Sequence, residues 1–82
     1  MSIPLSSQWI DETDEQAVLD VLRSEHLSLG PRLPEFEDGL ARVAHVGHGV
    51  AVNSGTSALH LLVRALGLGE GDEVITTPFS FI

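Results

Sequence analysis

Lysine and cysteine are both absent from this sequence of 82 residues. Its basic residues are all arginines, namely Arg23, Arg32, Arg42 and Arg64. A mechanism that needs the amine of a lysine therefore cannot be completed by these residues. Without cysteine there is no disulfide framework and no thiolate chemistry, and we expect a reducing, cytoplasmic location.

Positive charge and long apolar runs are scarce as well. The 12 acidic residues outnumber the arginines and give a net charge of −8, which does not favour nucleic acid or an anionic membrane surface as a partner. No apolar run approaches the roughly 18 residues that a transmembrane helix needs. The first residues lack the basic region and apolar core of a signal peptide. With 43% apolar and 20% charged residues, the composition indicates a globular protein.

Residues 1–47 predict an extended lead-in followed by two helices. Thr13 heads a capping box and predicts a first helix over about residues 13–25. Pro34 suits the first position of a second helix, which we expect Gly47 to end. This segment is the first of two predicted parts of the chain.

Residues 48–82 predict the incomplete start of an α/β domain. Two short apolar strands, at residues 50–52 and 73–77, flank an apolar helix at residues 58–66. Such a strand–helix–strand unit favours a right-handed crossover. Because two strands are too few for an independently stable sheet, we expect the chain to be the N-terminal piece of a larger protein.

The turn at residues 53–57 is the main candidate site. It lies at a helix N-terminus, where free N–H groups and the helix dipole stabilise an anion. A Walker-type loop is excluded because it needs a lysine, and a dinucleotide fingerprint is excluded because only Gly55 lies between the strand and the helix. Spacing alone leaves two alternatives open: a phosphate site, or a plain helix start with a Ser or Thr cap.

Phe81 follows the carboxyl end of the second predicted strand, where ligands bind in open α/β sheets. It is placed to stack on a flat ring, although an ordinary core phenylalanine is the more frequent explanation of this pattern. His45 and His48 straddle a predicted helix end with no carboxylate or cysteine beside them. We therefore predict no metal site.

Several segments resemble the N-terminal part of the DegT/StrS-type sugar aminotransferases, which are pyridoxal-phosphate enzymes of fold type I. They are residues 29–31, 36–37, 53–60, 65–75 and 78–81. The resemblance implies two N-terminal helices in residues 1–47, followed in residues 48–82 by the first strand–helix–strand unit of the large, cofactor-binding domain.

The resemblance also implies roles for individual residues. Gly55, Thr56 and Ser57 match the turn that holds the phosphate of pyridoxal 5'-phosphate, and Phe81 matches the aromatic residue that stacks on its ring. Family members transfer an amino group, typically from glutamate, to a keto group of a nucleotide-linked sugar. They are usually homodimers.

The catalytic lysine of the family, and the aspartate that pairs with the pyridine nitrogen, lie beyond residue 82. We therefore expect no catalytic residue in this chain and no activity from the 82 residues alone. Two alternatives remain open. One is a sugar dehydratase of the same family, in which histidine replaces the lysine. The other is a non-catalytic anion-binding or interaction module.

Overall fold

The computed structural model describes residues 1–80. They form three helices: α1 at Glu12–Leu22, α2 at Arg32–Ala44 and α3 at Gly55–Ala65. The chain divides into two units. The first, Met1–Val50, contains α1 and α2, and the second begins at Ala51 and contains α3.

Helix α1 begins one residue before the predicted start. Asp11 is the N-cap: its Oδ1 accepts the N–H groups of Thr13 at 2.9 Å and Asp14 at 3.2 Å. Asp14 Oδ2 in turn accepts the Asp11 N–H at 3.0 Å, which completes a capping box of two carboxylates. The predicted cap at Thr13 was wrong. Because carboxylates also interact favourably with the positive end of the helix dipole, Asp11 is the better cap.

The same helix ends three residues before the predicted end, at Leu22. The hydroxyl of Ser24 donates to the carbonyl oxygen of Val21 at 2.7 Å. A serine side chain that satisfies a late carbonyl group competes with continuation of the helix. The predicted helix boundary at residue 25 was wrong for this reason.

Helix α2 starts at Arg32, two residues before the predicted start. Pro31 is the N-cap and Pro34 occupies the third helical position. Neither proline removes an intrahelical hydrogen bond, because the first four N–H groups of a helix have no acceptor within it.

The end of α2 is made by a histidine in the left-handed region. His45 has φ 55°, and its N–H donates to the Arg42 carbonyl oxygen at 3.2 Å. The Val46 N–H donates to the Ala41 carbonyl oxygen at 3.0 Å. These two bonds form a Schellman motif. The expectation that Gly47 ends this helix was wrong.

Helix α3 begins three residues before the predicted start and ends at Ala65. Gly67, with φ 68°, closes it through a Schellman motif in which the Leu68 N–H donates to the Val63 carbonyl oxygen at 3.1 Å. Gly67 thus terminates the helix as predicted. The large apolar side chains of α3 are exposed; the exposed fraction is 68% for Leu59 and 58% for Leu62.

No β-strand occurs within residues 1–80. The predicted strands at residues 50–52 and 73–77 therefore have no ladder, and the strand–helix–strand unit is not shown. A strand exists by hydrogen bonding to a neighbouring strand, and two strands alone fall short of a stable sheet. In the described part of the chain, Ala41 is the one buried apolar residue, at 7% exposure.

Among residues 1–80, no helix is long and apolar enough to cross a membrane.

Candidate functional site

The turn Asn53–Ser57, called the α3 turn below, forms the N-terminus of α3. Ser54 is the N-cap and has extended backbone angles, φ −162° and ψ 159°. Its Oγ accepts the Ser57 N–H at 3.0 Å, and its carbonyl oxygen accepts the Ala58 N–H at 3.1 Å. The small polar residues therefore build the first turn of the helix itself, because a serine side chain replaces a missing intrahelical acceptor.

A second set of hydrogen bonds crosses the α3 turn. The Ser57 hydroxyl donates to Asn53 Oδ1 at 2.7 Å. The Ser54 hydroxyl donates to Ser57 Oγ at 3.0 Å. The polar groups of Ser54 and Ser57 are thus engaged with one another and with Asn53.

Gly55 and Thr56 supply the donors that stay available. Their N–H groups are the first two of α3 and have no acceptor within the helix. In the part of the chain that the structure describes, neither these N–H groups nor the Thr56 hydroxyl has a hydrogen-bond partner. Both residues are exposed.

The surroundings of these donors suit an anion. A Cβ atom built on Gly55 would meet no heavy atom within 4 Å, so the space beside the backbone is open. The first turn of α3 holds no acidic residue, whereas that of α1 holds Glu12, Asp14 and Glu15. Exposed N–H groups at the positive end of a helix dipole, with no carboxylate beside them, can bind a phosphate group.

The three predicted phosphate ligands lie together at the start of one helix, but they differ in availability. Gly55 and Thr56 have free donors, whereas the N–H and hydroxyl of Ser57 are used by Ser54 and Asn53. The predicted ring-stacking residue, Phe81, lies outside the described residues. Sequence reasoning missed the contact between Asn53 and Ser57, although an asparagine four residues before a serine in the first turn of a helix was a usable signal.

The Leu29–Pro31 segment lines a different feature, a cavity of about 400 Å³ in the first unit. Leu29 has φ 52°, and a Cβ atom on Gly30 would lie 2.9 Å from the carbonyl oxygen of His26. The neighbouring ion pair between Arg32 and Glu35, at 2.9 Å, is more than half exposed on both sides. Such exposed pairs add little stability.

No group of three or more His, Cys, Asp or Glu residues that could hold a metal ion occurs within residues 1–80.

Residues 8–82 match the model of the DegT/DnrJ/EryC1/StrS aminotransferase family. The chain belongs to this family, which is the one that the α3 turn and its flanking segments resemble. Aminotransferases of this family are in general dependent on pyridoxal phosphate.

Curated relatives are similar over nearly the whole chain. It is 41% identical over 80 residues to the UDP-4-amino-4-deoxy-L-arabinose–oxoglutarate aminotransferase of Shewanella sediminis (strain HAW-EB3), covering 98% of this chain and 21% of that protein. It is 44% identical over 79 residues to the spore coat polysaccharide biosynthesis protein SpsC of Bacillus subtilis (strain 168), covering 96% and 20%.

A third relative is the UDP-4-amino-4,6-dideoxy-N-acetyl-beta-L-altrosamine transaminase of Campylobacter jejuni subsp. jejuni serotype O:23/36 (strain 81-176). It is 43% identical over 79 residues, which cover 96% of this chain and 21% of that protein. The chain therefore spans about a fifth of the length of these relatives, in the N-terminal portion. No solved structure matches the chain.

Proposed function

We propose that this chain is the N-terminal portion of a pyridoxal-phosphate-dependent aminotransferase that acts on nucleotide-linked keto sugars. The observation that carries the proposal is the α3 turn, whose Gly55 and Thr56 N–H groups are exposed and unpartnered within the described residues. They lie inside the segment that matches an aminotransferase family.

The donor set of the α3 turn fits the phosphate group of the cofactor. A phosphate dianion needs several donors and no nearby carboxylate, and Gly55 and Thr56 supply N–H groups at a helix N-terminus that holds no acid in its first turn. Thr56 adds a hydroxyl, and Ser57 secures the turn. When bound, pyridoxal phosphate would supply the electron sink for amino-group transfer, while this chain would hold its phosphate. Phe81 would cover one face of the ring.

The remaining parts of the proposal come from the relatives and the resemblance. One relative is named as an oxoglutarate aminotransferase, which supports glutamate as the amino donor. The UDP-sugars in two of the names support a nucleotide-linked sugar as the substrate. We include in the proposal an α/β large domain that begins in residues 48–82, a homodimer, and a catalytic lysine beyond residue 82.

The reading frame beyond the codon of Ile82 provides the first test. We expect it to continue to a lysine that binds the cofactor covalently. In the full-length protein, borohydride reduction should fix pyridoxal phosphate to that lysine, which peptide mass spectrometry would locate. A histidine at that position would indicate the dehydratase of the same family, and a protein that never binds the cofactor would contradict the proposal.

A pair of substitutions at Gly55 tests the phosphate site itself. Proline is well tolerated at the first position of a helix but has no N–H, so Gly55→Pro removes one donor and keeps α3. Because a hydrogen bond to a charged group contributes about 1.5–3 kcal/mol, we expect a loss of about tenfold or more in affinity for pyridoxal phosphate.

Gly55→Ala is the matched variant, because it retains the N–H and its Cβ meets no atom within 4 Å. It should keep near-normal affinity. Glu12→Pro, at the equivalent first position of α1, controls for proline itself. A Gly55→Pro protein that binds pyridoxal phosphate as tightly as the wild type would show that the Gly55 N–H does not bind the phosphate.

A further inference from the structure

We propose that Asn53 is a positioning residue of the α3 turn, acting on a bound phosphate only through Ser57. The inference rests on the proposed function, since it concerns the same phosphate site. It assigns separate tasks to the residues of the turn: Gly55 and Thr56 contact the anion, Ser57 holds the cap, and Asn53 holds Ser57.

The directions of the hydrogen bonds carry the first step. Asn53 Oδ1 is an amide carbonyl oxygen, which only accepts, so the Ser57 hydroxyl donates its proton across the 2.7 Å contact. Ser57 Oγ then accepts the Ser54 hydroxyl at 3.0 Å, and Ser54 Oγ accepts the Ser57 N–H at 3.0 Å. One acceptor at the end of the network thereby sets the direction of every proton in it.

The second step follows from where those protons go. Both serine hydroxyl protons stay inside the α3 turn, so neither is directed at an incoming anion. Within Gly55–Ser57, the donors left for the phosphate are the N–H groups of Gly55 and Thr56 and the hydroxyl of Thr56. Their positions depend on the cap that the Ser57 N–H forms with Ser54 Oγ. Asn53 acts on this cap through the Ser57 side chain, whose Oγ accepts the Ser54 hydroxyl and so orients Ser54 Oγ.

A double-mutant cycle in the full-length protein, stripped of cofactor, tests the assignment. Dissociation constants for inorganic phosphate and for pyridoxal, which lacks the phosphate, are measured by titration calorimetry on Asn53→Ala, Ser57→Ala and the double variant. We expect Asn53→Ala to raise the constant for phosphate about fivefold, the effect of losing one hydrogen bond worth about 1 kcal/mol. Affinity for pyridoxal should not change.

The double variant should bind phosphate as weakly as Ser57→Ala alone, because Asn53 acts through Ser57 and the two effects are not additive. If Asn53→Ala fails to fold, Ser57→Ala alone still tests the inference. The Ser57→Ala substitution should raise the dissociation constant for phosphate by about the same factor as expected for Asn53→Ala. Gln16→Ala is the control. It removes an amide whose Nε2 donates to Asp20 Oδ1 at 2.7 Å in α1, and both constants should stay as in the wild type.

Additive losses, or a Ser57→Ala loss well above that of Asn53→Ala, would overturn the inference, because Ser57 would then contact the anion itself. Equal losses for pyridoxal and phosphate would overturn it too, since they would report general destabilisation. If Gly55→Pro weakens phosphate binding and Asn53→Ala does not, the inference alone fails. If the wild-type protein binds neither phosphate nor pyridoxal phosphate, the proposed function fails and takes the inference with it.

Discussion

Gly49 lies so close to α2 that a Cβ atom on it would be 2.5 Å from the carbonyl oxygen of Glu37. The same atom would lie 3.5 Å from the backbone nitrogen of Ala41, the buried residue of this helix. The segment that follows α2 therefore returns against the helix backbone, and only a residue without a side chain fits there.

Gly49→Ala should destabilise the protein, because the backbone of α2 or the returning segment must shift to relieve the contact. Overpacking of this kind costs about 1–3 kcal/mol, to be measured as the change in the free energy of urea unfolding. Gly47→Ala is the matched control, since its Cβ would meet nothing within 4 Å. Equal unfolding free energies for the two variants would contradict the close approach.

Gly39→Ala should stabilise α2. Gly39 lies inside the helix, and the nearest atom to an added Cβ is Arg42 Nη2 at 3.9 Å, an ordinary contact with a flexible side chain. Alanine is favoured over glycine in a helix interior by about 1 kcal/mol. The midpoint of thermal unfolding should rise, and a fall would mean that another part of the protein fills this space.

His45→Gly should stabilise the end of α2, because His45 has φ 55° and glycine adopts this left-handed region without steric cost. We expect a gain of about 1 kcal/mol in the free energy of unfolding. The comparison is His48→Gly, since His48 has no positive φ and the substitution there only adds freedom to the unfolded chain. A gain at His48 equal to that at His45 would count against the αL cap.

Asp11→Ala should weaken α1 by about 1 kcal/mol, the usual cost of losing an N-cap. Thr13→Ala should cost little or nothing, because the Thr13 hydroxyl caps no backbone N–H and alanine has the higher helix propensity. Far-ultraviolet circular dichroism during urea unfolding measures both. The reverse order would restore Thr13 as the cap.

Helix positions were largely predictable from the sequence, whereas helix boundaries were not. The apolar spacing in α1, α2 and α3 located all three helices, because that pattern is local to each segment. Their first residues were predicted one to three residues late. Near the start of each helix, several residues could serve as the N-cap from their type alone. The observed N-caps are Asp11, Pro31 and Ser54, and the sequence pattern does not distinguish them from their neighbours.

The candidate site shows the same division. The small and hydroxyl-bearing residues of the α3 turn left a phosphate site and a plain helix cap as alternatives, and the family resemblance then favoured the phosphate site. That the Ser57 hydroxyl is held by Asn53, at 2.7 Å, is a property of side-chain rotamers and could not be read from spacing.

The family and the positions of the three helices could be predicted from the amino-acid sequence alone, and so could the turn that we propose as a phosphate site, because each depends on residues that are neighbours along the chain. The three-dimensional structure decided which atoms cap each helix, which donors of the α3 turn stay available, and that Gly49 must remain a glycine. Those features depend on distances between backbone and side-chain atoms, which a linear pattern does not contain.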